Sequence, residues 1–250
     1  MQTLTLRKVE CVLECEVSSE YCQYSEGDGD QYAVAANIGL PFTDSGFANF
    51  SFEYSSSDPT DRSVQRNDAA ALIAAGNTAV ANPAQIWGSP LIDDNYKLFT
   101  NIGLDLGGGT EFYAHGNYAK KFVDGGFYFR NPNTRGAVFS TDGGATLLVG
   151  DMLDAADGVL DGSAGCPTVT ITNNVPNPTA LAQVFADPNC FTFQEIFPGG
   201  FTPRFGGDVY DAALVAGVRG NSGDFGWDIS AGAGRNEVDF FIRNTVNASL

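Results

Sequence analysis

The sequence predicts an all-β fold: an antiparallel up-and-down transmembrane β-barrel segment of about six strands, an incomplete barrel with long external loops. Three observations lead to this prediction. Six segments alternate between apolar and polar residues with a period of two, as strands do. Tight turns alternate with long connections along the chain. The apolar side of each segment carries no charged residue.

The composition favours β-structure and argues against two kinds of partner. The 250 residues include 30 Gly and 19 Phe, and only 17% are charged, which suits strands joined by many turns. The net charge of -17 excludes nucleic acid as an expected partner, because a phosphate-binding surface needs a basic excess. An anionic membrane surface is disfavoured for the same reason. No apolar run reaches the roughly 18 residues that a transmembrane helix needs.

The first 29 residues differ from the rest of the chain. Glu10 and Glu14 interrupt the most apolar stretch, so the segment lacks the apolar core of a secretory signal. The stretch "VECVLECEVSSEYC" is either foreign to the fold, as after a misplaced start or reading frame, or a genuine short strand. We therefore divide the chain into an atypical N-terminal segment, 1–29, and a partial barrel, 30–250.

Segments one to four lie in the first half of the chain, at 32–40, 47–55, 96–106 and 111–118. Their opposite sides carry small, polar or charged residues, among them Gly103 and Asp105. The apolar positions are Tyr32, Val34, Ala36, Ile38, Leu40, Ala48, Phe50, Phe52, Tyr54, Tyr96, Leu98, Ile102, Leu104, Leu106, Phe112, Ala114 and Tyr118. Each segment is close to the ~9–11 residues that a tilted strand needs to cross a bilayer.

Segments five and six form a hairpin within 210–233, around the turn "NSGD" at 221–224. Segments one and two are joined by "PFTDSG", and segments three and four by "GGGT". The remaining connections, 56–95 and 119–209, are long. Because short and long connections alternate strictly, all tight turns are expected at one end of an up-and-down sheet, as in outer-membrane barrels. Soluble sandwiches usually keep most loops short.

Aromatic residues occur at the ends of the predicted strands. Interfacial Tyr and Trp residues are typical of membrane barrels, although aromatic residues are also enriched in strands generally. The residues concerned are Tyr32, Tyr54, Tyr96, Tyr118 and Tyr210 on the apolar side, and Trp227 near a turn.

Two short helices are expected inside the long connections, as local structures rather than domains. "RNDAAALIAAG" has Asn67 or Asp68 as the N-cap and Gly76 as the stop. "NPTALAQVFADPNC" holds the second helix.

Several stretches together resemble the early barrel region of TonB-dependent outer-membrane receptors. They are "ANIGLPFTDSGFANFSFEY", "YAHGNYAKKFVDGGFYFRNPNTRG", "GFTPRFGGDVYDAALVAGVRG" and "GRNEVDFFIRNTVNASL". The resemblance covers about 26–250. It implies a large barrel in the cell outer membrane, a plug domain inside it and a TonB-contacting segment. It also implies energised uptake of a bulky small-molecule solute, such as an iron chelate, cobalamin or a glycan.

The sequence departs from that family in what it lacks. No signal peptide, TonB-contacting box or plug is recognisable, and six strands are too few to close a barrel, since small ones have eight. We therefore expect a fragment. Its partners would be outer-membrane lipid, the TonB energising complex acting through the plug that is absent here, and an unidentified solute.

Cysteines and arginines are the candidate site residues. Cys166 and Cys190 lie in the longest connection with a helix-like stretch between them, and we expect them to form a disulfide. Arg130, Arg135 and Arg204 lie among aromatic residues. They contact either an anionic solute or the plug, or they pack within loops and pair with acidic residues.

The remaining chemistry-bearing residues predict neither a cofactor nor a metal site. Cys11, Cys15 and Cys22 have no histidine nearby in sequence, so unpaired thiols are expected rather than zinc ligands. His115 is the single histidine and is expected to be a polar side chain facing the lumen. No Ser-His-Asp order or nucleophile elbow is present, and we expect no enzyme activity. The alternative to a receptor is a soluble secreted β-sandwich for adhesion or carbohydrate binding.

Overall fold

The computed structural model describes residues 2–6 and 15–248. It is mostly antiparallel β-structure, with 51% strand and 11% helix. In chain order the strands are β1 (Gln2–Leu6), β2 (Cys15–Gln23), β3 (Gln31–Thr43), β4 (Gly46–Ser57), β5 (Leu91–Gly107), β6 (Thr110–Gly126), β7 (Gly150–Asp151), β8 (Ile171–Thr172), β9 (Val175–Pro176), β10 (Cys190–Phe191), β11 (Arg204–Ser222) and β12 (Phe225–Arg243). The helices are α1 (Asn67–Ala74), α2 (Met152–Asp157) and α3 (Pro178–Ala186), with a 3-10 helix at Phe193–Glu195.

One large sheet contains seven long strands and the short β1, in the order β1-β2-β3-β4-β5-β6-β11-β12. Each neighbour in space is also the next long strand along the chain, which is up-and-down topology. All six predicted segments are confirmed as strands β3, β4, β5, β6, β11 and β12. The sheet is not closed: β1 and β12 form its two edges.

Strand β2 is a further strand of the sheet, beyond the six predicted segments. It pairs antiparallel with β3, from Cys15 opposite Ile38 to Cys22 opposite Gln31. Only Val17 and Tyr21 give its apolar side a clear signal, because Ser19 interrupts the alternation between them. The prediction of about six strands is therefore too low, and residues 15–23 belong to the sheet.

The tight turns are all two residues long. Asp44 and Ser45 join β3 to β4, Gly108 and Gly109 join β5 to β6, and residues 223–224 join β11 to β12. Two-residue hairpin turns of type I′ need positive φ at both positions. Gly108 has φ +60° and Gly109 has φ +76°, conformations that glycine adopts without a steric penalty. The long connections, 58–90 and 127–203, leave from the opposite strand ends.

The chain divides into two compact units. Unit 1 is the sheet and contains the described residues up to Asp61, Gly88–Gly125 and Phe205–Phe241. Unit 2 contains Arg62–Trp87, Gly126–Arg204 and the residues from Ile242 onwards. The long connections therefore form a unit with buried residues of its own, whereas the local sequence pattern predicted only isolated loop structures.

Two apolar clusters form the core of unit 2. Ala69 and Leu72 of α1 pack in the first, and Val184 of α3 packs in the second. Their buried members are Ala69, Leu72, Val80, Ala84 and Phe129 in the first cluster, and Leu147, Val169, Val184 and Cys190 in the second. Cys166 packs against the second cluster and forms the expected disulfide with Cys190.

Both predicted helices are confirmed, and one predicted cap is wrong. The N-cap of α1 is Arg66, which is extended and makes no capping bond with its side chain; Asn67 and Asp68 already lie inside the helix. Gly76 ends α1 with φ +98° and donates its N–H to the carbonyl of Ile73 at 2.9 Å. Helix α3 has a side-chain cap, since Asn177 Oδ1 accepts from the backbone N–H groups of residues 179 and 180.

A turn after Phe139 is organised by Asp142. Its carboxylate accepts hydrogen bonds from the backbone N–H groups of Ala145 and Thr146, at 2.9 and 3.0 Å. The hydroxyl groups of Thr146 and Ser140 donate to it at 2.7 and 2.8 Å. The bonds from Thr146, first its N–H and then its hydroxyl, and the bond from Ser140 lower the pKa of Asp142 well below its ordinary value.

Removing the disulfide should loosen unit 2 selectively. Cys166→Ser combined with Cys190→Ser opens a covalent loop with a sequence separation of 24. The chain-entropy model assigns such a loop ~3–4 kcal/mol. Hydrogen exchange should accelerate at Val169 and Val184 and stay unchanged in β4 and β5. Unchanged exchange at all four places would contradict this role of the disulfide.

The turn that Asp142 organises should persist to a lower pH than a turn held by an aspartate of ordinary pKa. Because the folded-state pKa is lowered, the stabilisation is complete above the unfolded-state pKa of ~3.9. It is lost only as the pH falls through the lowered value. The amide shifts of Ala145 and Thr146, followed by NMR, should therefore hold below pH ~3.9. If these amide shifts instead change with a midpoint at the ordinary aspartate pKa, the lowered pKa of Asp142 is disproved. The variant Asp142→Asn is the control, because its side chain does not titrate.

Candidate functional site

One face of the sheet in unit 1 is apolar across its strands. The register places Val17 opposite Ala36 and Ala36 opposite Phe52. Phe52 lies opposite Leu98, and Leu98 lies opposite Tyr118. This row crosses five strands without a polar side chain. Together with the equivalent alternate positions of the other strands, we call this surface the apolar face.

The apolar face is exposed rather than buried. Phe50 is 44% exposed, Leu98 48% and Leu214 56%. In the described part of the chain, no second layer of structure buries these side chains. Monomeric soluble proteins rarely leave a contiguous apolar surface of this kind open to water. Exposed contiguous apolar surfaces of this kind mark sites that interact with protein or with lipid.

A row of tyrosines borders the apolar face near the ends of the strands from which the long connections leave. Tyr54 and Tyr96 lie opposite each other with ring centroids 5.0 Å apart. Tyr21 and Tyr32 form a similar pair at 5.1 Å. Lys120 lies opposite Tyr96 and places its ammonium 5.7 Å from the ring of Tyr210. The row therefore contains Tyr21, Tyr32, Tyr54, Tyr96 and Tyr210. Tyr118, which the sequence predicted at a strand end, lies in the middle of β6 opposite Leu98, because β6 continues to Gly126.

The apolar face extends over most of the length of β5. From Tyr96 to Leu106 there are ten residue steps, ~33 Å along the strand at ~3.3 Å per residue. A strand tilted by ~40° then rises ~25 Å, the height of the apolar band of outer-membrane barrels. On β12 the alternation places Arg235 and Glu237 on this face, where they form an ion pair. These charges follow Ala233 and mark the end of the apolar stretch.

The opposite face of the sheet, which we call the polar face, contains hydrogen bonds and ion pairs between strands. Lys97 Nζ lies 2.6 Å from Glu53 Oε1, and Arg219 Nη2 lies 2.8 Å from Glu111 Oε2. Asp211 accepts hydrogen bonds from the side chains of residues 117 and 236. The alternation of the sequence therefore separates two chemically different surfaces.

The polar face also contains aromatic residues. His115 lies opposite Asn101 and stacks with Tyr113 at a centroid distance of 6.4 Å. Phe99, between Ser51 and Asn117, is 46% exposed. This face is therefore less uniformly polar than the sequence pattern suggests.

Two of the three candidate arginines lie at the ends of one turn in unit 2. The backbone N–H of Arg135 donates to the carbonyl of Asn131 at 3.1 Å, which closes the turn. The guanidinium carbon of Arg130 lies 5.2 Å from the ring centroid of Phe127. Burial, and then the positive charge of Arg135, lower the pKa of Arg130. Arg204, the first residue of β11, is exposed and has other partners.

A network of buried amide groups fixes this turn. Gln194 Nε2 donates to the carbonyl of Pro132 at 2.9 Å and to Asn133 Oδ1 at 3.0 Å. Asn133 Nδ2 donates to the carbonyl of Asn174 at 2.8 Å. Asn131 Oδ1 accepts the backbone N–H of Asn133 at 2.9 Å. A satisfied buried network of this kind holds a loop in one conformation.

The segments around Arg130 and Phe201, beside the turn, are also held by hydrogen bonds. Arg130 and Phe201 exchange backbone hydrogen bonds of 2.7 and 3.2 Å. The backbone N–H of Phe129 donates to Gln85 Oε1 at 2.7 Å. Sequence reasoning missed Asn133 and Gln194 as supporting residues. The stretch "NPN" signals a turn, but nothing local points to Gln194.

The cysteines differ partly from expectation. Cys15 is disulfide-bonded, so the expectation of an unpaired thiol is wrong there. The expectation for Cys11 lies outside the described residues. Cys22 is buried, and its thiol donates to Glu20 Oε1 at 3.1 Å. Among residues 2–6 and 15–248, no three His, Cys, Asp or Glu side chains are grouped so that they could hold a metal ion.

In that same part of the chain, no helix has the length and apolar character needed to cross a membrane. Comparison of the chain with protein-family models, with curated proteins and with solved structures found no match. The functional argument therefore rests on the residues and their arrangement.

Breaking the amide network should destabilise the arginine-bearing turn. Gln194→Ala leaves the buried oxygens of Pro132 and Asn133 without their donor, which costs ~1–3 kcal/mol. The control is Gln183→Ala, on the exposed side of α3. Hydrogen exchange should accelerate at the amides of Asn133 and Thr134 in the first variant only. Equal exchange in both variants would show that the network does not hold the turn.

Proposed function

We propose that this chain is part of a TonB-dependent receptor of the cell outer membrane, which takes up a bulky solute with energy from the TonB complex. The exposed apolar face of a single up-and-down sheet is the observation that carries the proposal. Lipid would cover this face, and the polar face would line the barrel lumen. The stretches that resemble the early barrel region of these receptors, such as "ANIGLPFTDSGFANFSFEY", support the family assignment.

The connections of the sheet agree with this role. In outer-membrane barrels the turns on the periplasmic side are short and the external loops are long. Here the two-residue turns lie at one end of the sheet, and the chain segments of unit 2 leave from the other. The long connections 58–90 and 127–203 would therefore be the external loops. The tyrosine row would lie at the outer membrane–water interface.

The proposal leaves specific tasks to the rest of the receptor. Because the sheet is open, the proposed receptor needs further strands to close its lumen, and coupling to the TonB complex needs a plug. Neither lipid contact nor solute uptake requires catalysis by this chain. A soluble secreted β-sandwich would instead have to bury Phe50 and Leu214 under a second sheet, and their exposure of 44% and 56% argues against it.

Charge scanning of the two sheet faces tests the orientation. Phe52→Arg puts a charge near the middle of the apolar face and should destabilise the membrane-inserted protein by ~2–4 kcal/mol. Asn101→Arg, on the polar face of the neighbouring strand, should be tolerated. The free energy of unfolding in urea from lipid vesicles measures both.

Two results would overturn the proposal. Equal tolerance of arginine at positions 52 and 101 would reject the orientation of the sheet. Recovery of the full chain as a soluble monomer that binds no detergent would reject membrane insertion and favour the sandwich. Leu104→Arg serves as a second test on the apolar face, closer to the two-residue turns.

A further inference from the structure

A cleft of about 550 Å³ lies wholly within unit 2. Its walls come from the end of α1, the β8–β9 hairpin, α3 and the 3-10 helix. Two apolar side chains of the lining are open to solvent, since Phe185 is 50% exposed and Val175 is 43% exposed. Sites for small molecules are commonly clefts of this size that combine an apolar lining with a few polar groups.

The amide of Gln194 offers an unpartnered oxygen to this cleft. Gln194 is only 6% exposed, and its nitrogen donates to the carbonyl of Pro132 and to Asn133 Oδ1. Because a carbonyl can only accept, these bonds fix which end of the amide carries the oxygen. In the described part of the chain, no group donates to Gln194 Oε1. Only Thr100 and Thr192 have a fully buried side-chain polar atom without a partner among those residues, so Gln194 Oε1 is within reach of a ligand in the cleft that Gln194 lines.

Further acceptors lie around the same cleft. Glu195 Oε1 accepts the backbone N–H of Thr192 at 3.3 Å, and no described residue donates to Glu195 Oε2. The carbonyl end of α1 reaches the cleft at Ala75 and Gly76, and the last turn of α1 contains no basic residue. The negative end of a helix dipole favours a cation.

The lining has few groups that could satisfy these acceptors. No Lys, Arg or His is among the described residues that surround the cleft. Three of those residues, Pro176, Pro178 and Pro198, have no backbone N–H to donate. The side-chain nitrogen of Asn77 already donates to the carbonyl of Pro198 at 2.9 Å. The cleft is therefore rich in acceptors and poor in donors.

We propose that this cleft binds a primary ammonium group on an apolar body. An ammonium carries three N–H donors and no acceptor, and it complements Gln194 Oε1, the Glu195 carboxylate and the end of α1, which line one cleft. The apolar body would lie against Leu181 and Phe185, which are four residues apart on α3 and therefore share a face. The site belongs to unit 2 alone, so it depends neither on a bilayer nor on solute uptake.

Calorimetric titration of the full chain in detergent with phenethylamine tests the site. We expect saturable binding at neutral pH, where the amine is protonated, and none of 2-phenylethanol, which has the same apolar body without the charge. Titration into detergent alone corrects for partitioning into micelles. A blocked phenylalanine–lysine dipeptide distinguishes two sources of the ammonium group. Tighter binding of phenethylamine indicates a small molecule, and tighter binding of the dipeptide indicates a lysine side chain of a protein partner.

Variants locate the binding in the cleft. Glu195→Gln keeps the oxygen that accepts from Thr192 and should weaken phenethylamine binding by about tenfold, because it replaces a charge-assisted hydrogen bond with a neutral one. Phe185→Ala should weaken it by about fivefold or more, because contact area is lost. Asp187→Asn and Ile196→Ala are the matched controls outside the cleft, and both should stay within about twofold.

Three results would overturn the proposal. They are absence of phenethylamine binding, equally tight binding of 2-phenylethanol, and an equal loss in Asp187→Asn and Glu195→Gln, which would indicate general attraction to a protein of net charge -17. If Glu195→Gln fails to fold, the comparison of Phe185→Ala with Ile196→Ala decides. The arginine substitutions at positions 52 and 101 lie in unit 1 and test membrane insertion separately from this site.

Discussion

A β-strand points successive side chains to opposite sides, and the organisation of unit 1 follows from this constraint. Because oily and polar residues alternate with the same period, pairing the strands in register collects the oily residues on one surface. The row from Val17 to Tyr118 exists only because four neighbouring registers agree. A shift of one residue in any of them would place charges such as Glu53 among the phenylalanines.

The two faces of the sheet suit different surroundings. On the polar face, ionised groups pair across neighbouring strands, as Lys97 and Glu53 do. These exposed pairs contribute little stability individually, but they are compatible with water. On the apolar face, the row from Val17 to Tyr118 has no charged group, and its side chains gain no hydrophobic stabilisation while they stay in contact with water. In the proposed receptor, the bilayer supplies the second layer that a sandwich would supply with protein.

Unit 2 obtains its order by different means. Its short helices and two-residue strands bury little area by themselves, and small cores of this kind commonly depend on covalent links. The Cys166–Cys190 disulfide lies against one apolar cluster, and buried amide groups fix the turn between Arg130 and Arg135. The disulfide and the amide network therefore supply order that the small core of unit 2 does not.

The sequence by itself determined the elements with a local signal. Alternation located six strands, glycine and aspartate located the tight turns, and the stretch "NPTALAQVFADPNC" indicated α3. Strand β2 escaped because Ser19 weakened its apolar side, and the cap of α1 was misplaced by one or two positions because Asn and Asp also occur within first turns. Tertiary structure alone decided which distant residues meet. Gln194 reaches Asn133 across 61 positions. Such contacts depend on how separate segments pack, and that packing leaves no periodic trace in the chain.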